Sequence, residues 1–185
     1  NRPMSISSFA LQQNFNVKNA MASHMQSELL RVRKETIRAS FEVSNYEEHR
    51  MEEVLKINGV QYINDAKAIS VNATFYSLEC LEMPVIWLVT GTQHPVEYHA
   101  LLPLVREKVK AIICLDDESE AIAKSFGNVI DHILEVQTLD EAVHLAYKIA
   151  DAGEAILLSP STDKSKYFKD FNELGSQFKS MVRNL

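Results

Sequence analysis

From residue 54 onward the apolar positions switch between two rhythms. Short runs that are apolar on both faces, at 54–57, 60–63, 85–89, 111–115, within 129–136, and at 155–158, read as strands. Between them, helical spacing predicts helices at 70–81, 100–109, 118–126 and 138–151, with a terminal helix ending near Leu185. Local signals support these limits. Asn58-Gly59 is a type I′ hairpin pair, Pro103 is tolerable in a first helical turn, and Thr138 with Glu141 forms a capping-box start.

Upstream the pattern differs. Residues 1–15 are weakly patterned, a loop or a short edge strand. Val17, Ala20, Met21, His24, Met25 and Leu29 form one helical stripe, and Leu30, Val32, Ile37 and Phe41 a second. One bent helix or two abutting helices fit equally well. Residues 44–53 read as a connector.

Strands alternating with helices imply an α/β fold, a mostly parallel sheet covered by helices on both faces and preceded by a helical segment. Right-handed crossovers would place every parallel strand's carboxyl end on one rim. That rim would carry 64–67, 90–94, Asp116-Asp117, Gln137-Thr138 and 159–162. Ligands of open α/β sheets gather there.

Asp65 and Lys67 are the strongest constellation on it. One reading has Asp65 touching a nucleotide or a metal-bound water while Lys67 holds an anionic group. The other is a helix-capping aspartate beside a solvated lysine. Gly91 would allow a tight turn and close backbone approach. His94 is a ligand or base, or a solvated loop histidine. Ser159 to Thr162 offer hydroxyls and N–H groups to a carboxylate or phosphate, or serve as an N-cap cluster, with Lys164 and Lys166 adding charge. Arg50 suits a bidentate phosphate contact, or an ion pair with Glu48 or Glu52. His24, His49, His132 and His144 lack metal-ligand spacing and read as structural or exposed.

Composition narrows the classes. The 185 residues carry a net charge of −6 with mixed signs, which gives no basic footprint for nucleic acid. No apolar run is long enough to cross a bilayer, and the chain reads as cytoplasmic. Cys80 and Cys114 read as small core residues. There is no G-x-x-x-x-G-K-[ST] loop, CxxC pair, G-x-S-x-G elbow or HExxH. The chain opens at Asn1, and its first residues read as the interior of a longer protein.

Five dispersed segments together resemble the C-terminal part of the Mur ligases, most closely the D-glutamate-adding branch. Residues 16–22 resemble the family's H-N-x-x-N-A-x-A helix start, and 48–52 its E-H-R-x-E. Residues 64–70 are similar to N-D-S-K-A-T-N. Ser159-Pro160 matches the start of S-P-A-x-A-S-F-D, and 171–178 echo E-R-G-x-x-F. The resemblance implies that residues 1–43 are the helical tail of a central ATPase domain, and 44–185 a Rossmann-like C-terminal domain. It implies an enzyme of peptidoglycan synthesis in which ATP phosphorylates the carboxylate of a UDP-sugar precursor and an amino acid attacks the acyl phosphate. Asn19, Arg50 and Asp65 would contact ATP. Lys67 would be catalytic and, with His94, Ser159 and Lys164, would meet the amino acid. Mg would be bound mainly by domains outside this chain, its N-terminal and central domains being the partners. This chain alone would be inactive.

The chain departs from the family at Gln13 and Phe15, at Ala66 and Ile69 (serine and threonine in the motif), and at His94, where lysine is expected. Lys164-Ser165 replace a serine-phenylalanine pair, and Leu174 replaces arginine. Most of these changes fall on the amino-acid pocket, where each lost polar partner would cost about 1–3 kcal/mol. They imply either a changed amino-acid specificity or a non-catalytic paralogue that acts as a binding or regulatory module. A stand-alone nucleotide binder is a third reading.

Overall fold

The computed structural model describes Arg31 and residues 47–91, 97–116, 119–163 and 165–185. The chain divides into two units, Asn1–Ser40 and Phe41–Leu185. In the first, Arg31 is helical; the expected stripes on 16–40 otherwise lie outside the described residues.

The second unit opens with a hairpin, β1 (Glu52–Ile57) and β2 (Val60–Asn64). Asn58 and Gly59 both have positive φ, 51° and 85°, as a type I′ turn requires. There follow α1 (Val71–Cys80), β3 (Val85–Gly91), a 3-10 turn (Tyr98–Leu101), α2 (Leu102–Lys108), β4 (Val109–Asp116) and α3 (Ser119–Phe126). The chain continues through β5 (Ile133–Val136), α4 (Leu139–Ile149), β6 (Ala155–Leu158) and α5 (Phe171–Arg183). The strand order is β1-β2-β6-β3-β4-β5. Among the described residues only the β1–β2 pair is antiparallel; the other four pairings are parallel. The expected α/β class and mostly parallel sheet are what the molecule has.

Strand β3 is buried along its whole length because its residues feed two separate cores. Ile86 and Leu88 point into a cluster with Ala142, Val143 and Ala146 of α4 and Leu174, Phe178 and Val182 of α5. Trp87 and Val89 point to the other face, against Leu78, Val105, Ile122 and Phe126 of α1 to α3. Each such large buried side chain contributes about 1.5–3 kcal/mol. Trp87 also packs edge-on against Tyr98 and Phe126.

Helix limits follow capping chemistry. Ser70 Oγ accepts the Ala73 N–H at the start of α1. Thr138 Oγ1 accepts the Glu141 N–H, while the Glu141 carboxylate reaches back to the Gln137 N–H, one residue before the expected partner. The helix expected at 100–109 divides into the 3-10 turn and α2, with Pro103 in the first turn of α2. Any tight turn after Gly91 lies outside the described residues. Gly91 continues β3 and pairs with Asp116 in register.

Strand β6 lies between β2 and β3, and the chain leaves β3 and β6 toward opposite faces, to α2 on one and α5 on the other. A crevice at the carboxyl ends of β6 and β3 is the consequence of that reversal.

Candidate active site at the carboxyl rim

The site is built where β2 ends. Asn64 and Asp65 are buried there, and the connector Glu47–Met51 folds over them. His49 and Met51 have left-handed backbones, φ 66° and 45°, a conformation that must be held by surrounding contacts in residues other than glycine. The contacts are present. Lys67 N–H donates to the His49 carbonyl (3.0 Å), and Met51 N–H donates to Asp65 Oδ1 (3.1 Å). His49 N–H donates to Glu52 Oε2.

Asp65 therefore does not project from the rim. It is 2% exposed, and its second oxygen accepts the Ser77 hydroxyl. Burial pushes its carboxyl up to about 7, against the opposing pull of Ser77, the Met51 N–H and Arg50. Nor does it cap a helix, since Ser70 performs that task for α1.

Arg50 and Lys67 do reach the surface, and Glu47 joins them. Lys67 Nζ lies 3.0 Å from Glu47 Oε1, and Arg50 Nη1 3.5 Å from Glu47 Oε2. Arg50 is half exposed, and neither of the carboxylates expected as partners, Glu48 or Glu52, holds it. Those two pair instead with Lys179 of α5 (2.8 and 2.7 Å). Lys67 Nζ also stands over the Phe171 ring, 5.6 Å from its centroid.

Phe171 belongs to a second feature, a cleft of about 240 Å³ at the crevice between β6 and β3. Ala66 and Ile69 after β2, Thr90 on β3, Pro160 and Thr162 after β6, and Phe171 and Leu174 of α5 line it. Asp163, Lys169 and Asp170 add charge at its wall. Asp170 Oδ1 accepts the N–H groups of Asn172 and Glu173, capping α5. Ile69, Ala66 and Leu174, three of the departures in the sequence, thus all face one cavity.

Ser159 is turned inward. Its side chain is fully buried, with Oγ 2.8 Å from Thr74 Oγ1, which is also 2.8 Å from Ser161 Oγ. Trp87 Nε1–H donates to the Ser159 carbonyl (2.8 Å). The serine expected to meet the amino acid instead ties β6 to α1, and its neighbours Pro160 and Thr162 face the cleft. Asn19, His94 and Lys164 lie outside the described residues.

Sequence reasoning missed Ser77, Glu47 and Gly175. It read His49 only as structural or exposed, and the structure makes it a buried node. Asn64 Nδ2, which can only donate, lies 2.9 Å from His49 Nδ1, so the ring is neutral with its proton on Nε2. Burial lowers the His49 pKa in spite of Glu48 and Glu52 nearby. A Cβ at Gly175 would stand 2.3 Å from His49 Nδ1.

A family model described as "Mur ligase, glutamate ligase domain" matches residues 49–162, from that buried histidine to the threonine of the cleft. The chain belongs to the Mur ligase family. Among curated Mur ligases, the UDP-N-acetylmuramoylalanine--D-glutamate ligase of Christiangramia forsetii is 50% identical over 98% of this chain and 41% of its own length. The Porphyromonas gingivalis protein of the same name is 36% identical over 95% of this chain and 39% of its own. The chain thus spans about two fifths of these relatives. Among solved structures, a murein peptide ligase from Psychrobacter arcticus shares the fold, with a TM-score of 0.51 at 12% identity over 74% of this chain and 30% of its own. The described unit is the C-terminal domain of a Mur ligase.

Proposed function

We propose that this chain is the C-terminal part of an ATP-dependent ligase of peptidoglycan synthesis. The whole protein would add D-glutamate, or a related amino acid, to a UDP-N-acetylmuramoyl precursor through an acyl phosphate, in the cytoplasm. One observation carries the reading: Arg50 and Lys67 converge on Glu47 at the rim, and Lys67 meets both that carboxylate and the ring of Phe171 at the cleft wall. Two cations that share one exposed carboxylate can exchange it for a phosphate, and a planar guanidinium suits phosphate geometry.

In this reading Arg50 meets the nucleotide, and Asn19 is taken as a nucleotide contact on the resemblance alone. Asp65 belongs to the nucleotide side through Arg50. Lys67 stands where the acyl phosphate and the incoming amine meet and stabilises charge developing there. The cleft takes the amino acid, aided by His94 and Lys164. Mg bound with ATP would, on the resemblance, be held mainly by the protein's other domains. The test is amino-acid-dependent phosphate release by the full-length protein with ATP, UDP-N-acetylmuramoyl-L-alanine and a panel of amino acids that includes D-glutamate. No release with any of them would overturn the reading.

A second reading, a non-catalytic paralogue, is favoured by the aliphatic residues Ile69 and Leu174 facing the cleft. They offer no donor to a ligand carboxylate. ATP and precursor binding without turnover is its signature.

A further inference from the structure

Three buried hydroxyls join residues that flank the walls of the cleft. Thr74 Oγ1 on α1 lies 2.8 Å from Ser159 Oγ and 2.8 Å from Ser161 Oγ, and all three residues are at most 2% exposed. Ser161 has a left-handed backbone, φ 64°, which a residue with a Cβ keeps only where surrounding contacts fix it. Two contacts do so. Its hydroxyl meets Thr74, and its N–H donates to the Ala68 carbonyl at 2.8 Å. Ser161 sits between Pro160 and Thr162, and Ala68 precedes Ile69; Pro160, Thr162 and Ile69 all line the cleft. Ser159 is held independently of Thr74, because its N–H donates to the Leu88 carbonyl and its own carbonyl accepts the Trp87 Nε1–H. Strand β3 thus fixes the start of the loop after β6, and Thr74 fixes the strained residue two positions later.

We propose that Thr74 is a positioning residue: acting through Ser161, it sets where Pro160 and Thr162 stand against Ile69, and so fixes the shape of the cleft toward the amino acid. This rests on the reading that the cleft takes the amino acid. A hydroxyl suits the task, since one oxygen can meet two neighbours by accepting from both or by donating to one. Valine at position 74 keeps the shape and loses both bonds, whereas serine keeps the bonds. Glycine at position 161 adopts φ 64° without steric cost and removes only the hydroxyl, so it loosens the latch while relieving strain.

The test uses the full-length protein and has two arms. Amide hydrogen exchange at Ser161 should be faster by about tenfold or more in Thr74→Val and near native in Thr74→Ser. Steady-state ligation is then followed with ATP, UDP-N-acetylmuramoyl-L-alanine and the amino acid that supports turnover. Thr74→Val should raise the amino-acid KM by about tenfold while the ATP KM stays within about twofold of native, and Thr74→Ser should restore the first value. Ser161→Gly should raise the amino-acid KM in the same way while its thermal midpoint stays near the native one.

Native Ser161 exchange in Thr74→Val would overturn the latch. A purely structural role would lower the folded fraction, so that apparent kcat falls with the amino-acid KM unchanged; that result in Thr74→Val and Ser161→Gly would overturn the positioning. Equal rises in both KM values would show a general distortion and overturn it as well. If Thr74→Val does not fold, Ser161→Gly decides: a raised amino-acid KM beside a native ATP KM supports the proposal, and native values of both overturn it. Should the wild-type protein turn over no amino acid, the proposed function fails and the role toward the amino acid with it, while Ser161 exchange still decides whether Thr74 holds that backbone.

Discussion

His49 and Gly175, far apart in the chain, meet so closely that position 175 has no room for a side chain: a Cβ there would lie 2.3 Å from His49 Nδ1 and 2.7 Å from Cγ. The ring cannot simply turn away. It is buried, and Asn64 Nδ2 holds its Nδ1 while lying 3.3 Å from the Gly175 carbonyl. The connector carrying Arg50 and the helix carrying Phe171 and Leu174 are thereby seated on each other within this unit.

Gly175→Ala should destabilise the unit in spite of alanine's better helix propensity. Overpacking of this kind costs about 1–3 kcal/mol, against a propensity gain of about 1 kcal/mol or less at a helical glycine. Chemical denaturation of the single variant and of Gly175→Ala with His49→Ala measures it. The double variant should be more stable than the sum of the singles, because removing the ring removes the clash.

His49 should make the fold sensitive to acid. Its pKa is lowered from 6.5, chiefly by burial. The unfolded chain then binds the proton more readily, so this contribution is fully present above about pH 6.5 and is lost as pH falls through the lower folded value. His49→Gln retains an acceptor and cannot titrate. Its stability should fall less than the wild type's between pH 7 and 5, read by urea midpoints.

Asp65 acts with the opposite sign. Its carboxyl is raised from 3.8 to about 7 by burial, so folding favours the protonated form. The contribution is fully present below about pH 4 and lost as pH rises through about 7. Carbon-13 NMR of the side-chain carboxyl should show a midpoint near 7, and Asp65→Asn should remove the corresponding slope in stability. A midpoint near 4 would contradict the buried, doubly bonded geometry.

Lys67→Ala should abolish turnover of the full-length protein with little effect on folding. The Lys67 side chain is 26% exposed and that of Glu47 47%, and an ion pair so open to solvent contributes about 0–1 kcal/mol. Thermal unfolding and phosphate release separate the two effects. Native rates in this variant would remove Lys67 from the mechanism.

Thr74→Val should cost about 1–3 kcal/mol, because it strips the shared partner from the buried hydroxyls of Ser159 and Ser161 at nearly constant volume. Thr74→Ser, which keeps that hydroxyl, should retain most of the stability. Denaturant titration of both variants checks the difference.

Elements with strong local chemistry were legible before folding. The hairpin at Asn58-Gly59 and the starts of α1 and α4 depend on turn and cap residues within a few positions of each other, and strands such as Ala155–Leu158 announce themselves by apolar runs. The rim was legible as well, because alternating strands and helices leave little choice of where parallel strands finish. What local pattern could not supply was the direction of each polar side chain. Asp65, Ser159 and Lys67 all follow strands and look alike as loop residues, yet two are buried and one is partly exposed. That division is made by partners distant in sequence: Ser77 for Asp65, Thr74 for Ser159, and Phe171 for Lys67.

Read alone, the chain establishes a parallel α/β body, the rim where chemistry gathers, and the segments that carry the family likeness, because periodicity and turn chemistry are properties of neighbouring residues. Folding decides that Arg50 is pinned on both sides, that Gly175 must leave space for His49, and that Ile69 and Leu174 share one cleft. Those facts depend on which surfaces pack together, and close packing joins residues that no local rhythm connects.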